Sequence, residues 1–512
     1  MAIYEPLPAK GERRRLQLRS PVDLEVIGEI ECASAEDVRA ALERARKAQP
    51  EWAALSFRSR ARFVHRFMDL FLERSDELID IITRETGKAR SEAISMEIFA
   101  PMQAAAYYAR RAEKFLKPRK RRVAGMLGWL KQLRITYRPL GVVGIITPWN
   151  GPIALAVNPL VQALMAGNAV LLKPSEVTPL STQWMAGLWA EAGLPENVLQ
   201  VLVGDGETGA ALCEAGVDKI SFTGSVATGR KVAEACGRNL IPCTLELGGK
   251  DAMIVCRDAD LERAASGALI GSCMNTGQYC CGTERIYVVD ELYERFVDAV
   301  VERARSLRQG TSGEFDVGAL FWDRQLEIVE GHVDDARARG ARVLVGGRRN
   351  PDLPGLYYEP TVIVDVDHDM AIMREETFGP VVAVMRVADE EEAIRLANDS
   401  EYGLNGNVWT RDKEKGFEIA QRIETGGVCV NDMALTYGVP EAPFGGRKTS
   451  GVGQVNGKKG LRGYTHEMPI LIDRWGGTKV QGGYPYTRKA EDGTLAFAKR
   501  LFGNATLRRW LA

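Results

Sequence analysis

The feature that most narrows the fold is a rhythm between Leu140 and Val255. Short β-branched runs alternate there with helical patterns: GVVGIIT (141–147), AVLLK (169–173), LQVLV (199–203), KISF (219–222) and AMIV (252–255). Strands spaced this way need crossover connections, which is how parallel, doubly wound α/β sheets are built. A second alternating region follows, with IYVVD (286–290), ARVLVGG (341–347), TVIVDV (361–366), VVAVMRV (381–387) and VCVND (428–432), and predicts another α/β lobe. Ahead of both, residues 35–116 read as long amphipathic helices, among them Ala35 to Ala48 and Phe57 to Thr86. Beyond Gly451 the pattern thins into Gly-rich connections, a short run MPILID (468–473) and an apolar-basic tail. With 512 residues there is room for several cores.

Charge and cysteine usage exclude whole function classes. Lys+Arg 67 against Asp+Glu 68 leaves a net charge of -1, so no global field gathers nucleic acid or anionic membrane, and any such binding must be local. The nine cysteines are odd in number and scattered, which is thiol usage rather than a disulfide framework. The start, MAIYEPLPAKGERRR, shows no apolar run of a secretory signal, so the cytoplasm is expected. Pro152 to Leu172 is uncharged and about as long as a membrane span. Asn158, Pro159, Gln162, Gly167 and Asn168 interrupt it, so a buried helix leading into a buried strand is expected.

Three short segments carry chemistry. In Asn275-Thr276-Gly277-Gln278-Tyr279-Cys280-Cys281 a cysteine stands on a loop entering a strand; a lone cysteine is more often an inert small hydrophobe, but a thiolate there would be a nucleophile. Thr244-Leu245-Glu246-Leu247-Gly248-Gly249-Lys250 sets a carboxylate at an apolar strand end, where a raised pKa would suit a general base; a paired structural acid is the plainer alternative. Pro148-Trp149-Asn150-Gly151-Pro152 ends the first strand of the sheet, where ligands sit in doubly wound folds. An Asn amide there can donate to an oxyanion, although Asn before Gly is usually a turn. None of the four histidines falls in a motif, which disfavours a Cys–His hydrolase, and no metal-ligand spacing is evident.

Taken together, these segments make the sequence resemble the aldehyde dehydrogenase superfamily. The resemblance runs from roughly Pro21 to Thr465 through WNGP (149–152), KPSEVTP (173–179), FTGSVATG (222–229), LELGGK (245–250), GQYC (277–280), EETFGP (375–380) and PFGGRKTSG (443–451). It implies a Rossmann-like NAD-binding domain (1–117 and 139–248), a second α/β catalytic domain (249–450), a small β oligomerisation arm (118–138 and 462–485) and a C-terminal tail (486–512). By the same resemblance Cys280 is the nucleophile, Glu246 the general base, and Asn150, with the backbone N–H of Cys280, the donor pair for the oxygen of a thiohemiacetal. Glu246 also argues for hydrolytic release of the acyl group, since CoA-acylating relatives usually lack this base. A CoA-acylating enzyme and a non-catalytic protein keeping the fold are the rival readings.

For the cofactor, Gly204-Asp205-Gly206-Glu207-Thr208-Gly209 matches G-x-G-x-x-G, the usual dinucleotide fingerprint, but the next strand, KISF, ends without a ribose-binding acid. The resemblance instead sends the pyrophosphate to the helix starting at Gly224 and Ser225, with Gly229 and Leu247 nearby and Gly206 on the adenine side. Ile146, Thr147, Pro148 and Trp149 line the strand end. Lys173 and Glu176 hold the adenosine ribose, and Glu376 and Phe378 hold the nicotinamide ribose and ring. A carboxylate at Glu176 repels a 2′-phosphate, which favours NAD over NADP.

The substrate side reads as apolar. Gly151, Ile153, Ala154 and Leu155 after Asn150, Tyr279 and the loop Met433 to Val439 supply no Lys or Arg, which argues against a carboxylate-bearing semialdehyde and for a long-chain or aromatic aldehyde. After PFGGRKTSG, where many relatives continue with an Arg-Glu pair, this chain has GVGQVNGKKGLRGYTH (451–466) and then YPY (484–486), features similar to a subgroup with carotenoid dialdehyde dehydrogenases. Lys114 to Arg138 carries nine Lys or Arg and no acid, which suits the rim of a homodimer or homotetramer. The tail from Thr494 to Trp510 suits a helix docked on its own subunit, with peripheral membrane contact the alternative.

Overall fold

The computed structural model describes residues 2–10, 13–125, 127–476 and 484–511. Positions 126 and 477–483 of the expected arm, and the side chains of Leu507 and Trp510 in the tail, lie outside the described residues. The chain forms two compact units, residues 1–112 with 139–464, and residues 113–138 with 465–512.

The first unit holds two large sheets. In the six-stranded sheet the order is Gly451–Val452, Cys243–Glu246, Lys219–Thr223, Val142–Ile146, Ala169–Lys173, Leu199–Val201. All neighbours are parallel except Gly451–Val452, which runs antiparallel to Cys243–Glu246. The chain starts in the middle, at Val142–Ile146, winds outward one way and then the other, so a switch point opens between the carboxyl ends of Val142–Ile146 and Lys219–Thr223. Val142–Ile146 is buried throughout and Lys219–Thr223 in all but its last residue, because helices cover each side.

The second sheet is ordered Arg342–Val345, Thr361–Val364, Val381–Val387, Thr283–Val289, Asp251–Val255, Gly406–Trp409, Cys429–Val430, parallel apart from its first strand. AMIV therefore belongs to this sheet and not to the first, where Cys243–Glu246 takes its place. Gly406–Trp409, which periodicity did not single out, also lies here, and VCVND contributes only two strand residues. Four residues, Leu247 to Lys250, join the end of Cys243–Glu246 to the start of Asp251–Val255. The carboxyl edge of the first sheet thereby meets the amino edge of the second, and the return strand Gly451–Val452 closes the junction.

Two helical expectations change. The stretch from Phe57 to Thr86 is two helices, Phe57–Glu73 and Ser75–Thr86, broken at Arg74 (φ -107, ψ 22) so that both pack on Pro179–Glu191. The helix expected over Ala35 to Ala48 continues to Ala54 through Pro50, because Trp52 is buried and its indole N–H donates to Leu164 O at 3.0 Å. Pro152 to Leu172 does form a buried helix, Ala154–Ala166, followed by the strand Ala169–Lys173. Among the described residues no helix is long and apolar enough to cross a membrane.

In the second unit, Arg119–Arg121, Lys131–Pro139 and Thr465–Asp473 form a three-stranded antiparallel sheet, and the tail forms the helices Arg488–Gly503 and Ala505–Leu511. No residue of Arg488–Gly503 is buried, and Leu495, Phe497 and Phe502 are exposed.

Candidate active site

Cys280 follows a tight left-handed turn. Asn275 (φ 55), Thr276 (φ 57) and Gly277 (φ 73) succeed one another with positive φ, a conformation that is costly for a β-branched residue such as Thr276, by about 1–3 kcal/mol. The turn persists because its surroundings over-determine it. Asn275 N–H donates to Glu92 Oε1 at 2.6 Å, the Asn275 amide donates to Asn150 O and Gln278 O, and Gln278 Oε1 accepts from Phe321 N–H at 2.9 Å. Gly277 is required there, since a Cβ would lie 2.0 Å from Gly379 O.

The three expected catalytic groups converge on this turn. Asn150 is buried and its side-chain amide donates to Gln278 O at 3.0 Å, with a second N–H left to give. Cys280 is half-buried among Tyr279, Met433 and Tyr437 beside an apolar cluster of Cys281, Leu404, Ala434, Phe444 and Val455. Glu246 ends its strand 5% exposed, and neither carboxylate oxygen has a hydrogen-bond partner. Burial, and then the nearby Cys280, push its pKa well above the usual carboxylate range, and the Val455 amide, whose N–H is already given to Phe444 O, offsets this only in part. Gly249 allows the approach: a Cβ there would stand 2.5 Å from Cys280 O.

The expected cofactor residues line the switch point, and the fit can be tested on unmet donors and close packing. Thr147 is buried at the end of Val142–Ile146 with its hydroxyl unpartnered. Ser225 caps the helix Val226–Arg238 and is exposed, leaving that helix start open to a phosphate. The rival helix start at Gly206 already carries an anion, the Asp205 carboxylate, which accepts from Glu207 N–H and pairs with Arg14, whereas the Ser225 cap is neutral. Gly206 itself faces open space. Leu247 lies on Gly229 and Glu376 on Gly248, each so close that a Cβ would clash, at 2.4 Å and 2.6 Å. Lys173 Nζ lies 3.0 Å from Glu176 Oε2 at the outer end. Trp149 packs its ring edge-on to Phe378, with centroids 5.5 Å apart. Glu376 accepts from Gly249 N–H at 2.9 Å, and its pKa is pushed up to about 8 by burial and by Glu284. These groups fit a dinucleotide laid from Lys173 to Glu376.

Several supporting residues escaped sequence reasoning. The buried Lys88–Glu97 ion pair braces the Asn150 loop: Lys88 Nζ donates to Asn150 O at 3.3 Å, and Glu97 Oε2 accepts from Ile153 and Ala154 N–H. Glu97 lies in a π-helical turn, Ala93–Phe99, which no propensity pattern announces. Arg285 clasps Lys250 O, Leu396 O and Ala397 O, so its role is structural. Among the described residues one group, Cys256, Asp258 and Glu390, has metal-like proximity. It is occupied by cations of the chain, with Lys415 Nζ 2.7 Å and Arg257 Nη2 3.2 Å from Glu390.

Comparison with known proteins agrees with this architecture. The profile of the aldehyde dehydrogenase family matches residues 8–469. A Mycolicibacterium smegmatis protein with the provisional name succinate-semialdehyde dehydrogenase, NADP(+), is 44% identical over 449 residues, 87% of this chain and 86% of that one. The 4,4'-diapolycopene aldehyde oxidase of a Methylomonas species is 37% identical over 488 residues, 95% of this chain and 91% of that one. Among solved structures, a Mycobacterium tuberculosis aldehyde dehydrogenase complexed with NAD+ superposes with a TM-score of 0.87 at 38% identity, covering 92% of this chain and 97% of that chain. The chain belongs to the aldehyde dehydrogenase family and is an NAD(P)-dependent oxidoreductase.

Proposed function

We propose that the protein oxidises an apolar aldehyde to the free carboxylic acid through a thioester on Cys280. An aldehyde carbon cannot lose hydride until a nucleophile makes it tetrahedral, and the Cys280 thiolate supplies the new C–S bond. The oxygen, now anionic, is received by the Asn150 amide and the Cys280 N–H. NAD(P), held by Ser225, Lys173, Glu176, Glu376 and Phe378, supplies the hydride acceptor. Glu246 then takes a proton from water as the water attacks the thioester carbon; the C–S bond breaks, the thiolate leaves and the acid is released.

The observation that carries this reading is Glu246: buried, without a hydrogen-bond partner and beside Cys280. An acid kept for structure would be satisfied, whereas one that must hold a water is left open. This favours hydrolysis over transfer to CoA, and the intact set of Cys280, Glu246 and Asn150 speaks against a binding protein that merely keeps the fold.

For the substrate, the cluster that Cys280 packs against is apolar and aromatic, with Tyr279, Met433, Tyr437 and Phe444 in it. A small cavity of about 20 Å³ beside Tyr437, lined by Ala100, Pro101, Ala104, Ala154 and Pro440, has the Asn158 and Asn456 amides and the Tyr437 hydroxyl as its side-chain polar groups. That lining suits the apolar aldehyde in the name of the Methylomonas relative better than the semialdehyde in the name of the mycobacterial ones. The pairing of Lys173 with Glu176 favours NAD over NADP. Assembly as a homodimer or homotetramer through residues 118–138 and 462–485 completes the reading.

The test is reduced-cofactor formation from short, long-chain, aromatic and carotenoid aldehydes and from succinate semialdehyde, with NAD+ or NADP+, and with Cys280→Ala alongside. Turnover of apolar aldehydes, release of free acid and loss of activity in the variant are expected. An acyl-CoA product, or preference for the semialdehyde, would overturn the corresponding part.

A further inference from the structure

We infer that the C-terminal tail docks on anionic phospholipid bilayers, with the helix Arg488–Gly503 lying in the interface. Two observations carry this. First, the tail is basic: residues 486–512 contain 6 Lys or Arg and 2 Asp or Glu, a net +4, in a chain whose total is -1.

Second, the helix is two-faced and unpartnered. At 100° per residue, Ala490, Leu495, Phe497, Ala498, Leu501 and Phe502 fall on one half, interrupted by Glu491 in the first turn, and Lys489, Lys499 and Arg500 with Asp492 on the other, with Arg488 at the border. None of its residues is buried, and Leu495, Phe497 and Phe502 are 55%, 45% and 59% exposed. An apolar half-cylinder flanked by cations matches a leaflet of acyl chains under anionic headgroups. The segment also lies beyond residue 469, where the match to the shared family fold ends.

Because no described helix can span a membrane, the contact is peripheral.

The experiment is flotation of the full-length enzyme with phosphatidylcholine vesicles, with and without an anionic phospholipid, at low and high salt. Leu495→Glu/Phe497→Glu and Lys499→Glu/Arg500→Glu are compared with wild type, and oligomer size is followed by sedimentation. Wild type should float with anionic vesicles at low salt, and neutral vesicles, high salt or either variant should weaken partition by about tenfold or more. Oxidation of a water-soluble aldehyde should be unchanged in both variants. Absence of flotation, or equal flotation of the variants, overturns the inference. So does a tail variant that alters oligomer size without altering vesicle partition, which would make a second copy of the chain the occupant of the apolar face.

Discussion

Glu246 has to hold two opposing properties, being hard to ionise and yet able to accept a proton. Its pKa is raised chiefly by burial, so the ionised fraction, and with it the base, grows as pH climbs through a range above that of ordinary carboxylates. Thioester hydrolysis should therefore show an acidic limb in that range. Glu246→Gln should abolish the limb, leave a first-turnover burst of reduced cofactor and slow the steady rate by about 10²- to 10⁴-fold, as read by stopped-flow absorbance. Gly249 offers a second check on geometry. A methyl group there would stand 2.5 Å from Cys280 O, so Gly249→Ala must displace the nucleophile's backbone. We expect kcat to fall by about 10²-fold with a stability cost of about 1–3 kcal/mol, measured by steady-state kinetics and thermal unfolding.

At the level of elements, the cysteine turn is held by helices distant in sequence. Glu92, just before the π-helical turn Ala93–Phe99, accepts from Asn275 N–H with one oxygen, while its other oxygen is buried without a partner. Burial pushes its pKa up to about 7 from 4.5. Between these two values the folded protein keeps a proton that the unfolded chain has lost. The stability tied to this group is thus fully present below pH 4.5, declines as pH rises toward 7 and stays lost above it. Gln in this position keeps the acceptor without the charge. Relative to wild type, Glu92→Gln should gain about 2–3 kcal/mol at pH 8 over its difference at pH 4, a contrast readable by urea denaturation at the two pH values. An identical difference at both would show that Glu92 does not titrate in this way.

On the scale of the whole molecule, the proposed nucleotide groove draws on both large sheets: Thr147, Lys173 and Ser225 come from the first, Glu376 and Phe378 from the lobe of the second. A ligand spanning both binds only the folded state, so NAD+ at about a hundred times its Kd should stabilise the protein by about 2.7 kcal/mol in thermal unfolding. NADP+ should stabilise it less, because Glu176 sits beside the adenosine ribose position in the proposed binding mode. Glu176→Gln should narrow the difference by about tenfold in Kd, as read by titration calorimetry. Equal binding of the two cofactors by wild type would remove Glu176 as the discriminating group.

Much of this was legible in the chain because the signals are local. A short apolar run such as Ala169 to Leu172 between turn signals reads as a buried parallel strand, and Cys280, Glu246 and Asn150 each stand in a short motif at the end of an element. The assignment of AMIV to a sheet was not local, since Asp251–Val255 reads the same whichever partners it pairs with. Nor could pattern alone show that Lys88, Glu92 and Glu97 brace the Asn150 and Asn275 loops, because a buried charge on an amphipathic helix looks like a solvated one until its partner is known. By itself, then, the sequence determined most element types, the family and the reading of the site that is proposed for it. Only the tertiary structure decided sheet membership, the left-handed turn before Cys280, the unsatisfied burial of Glu246 and the exposure of the tail. These depend on contacts between residues far apart in the chain, whose free energy exists only once both partners are held in place.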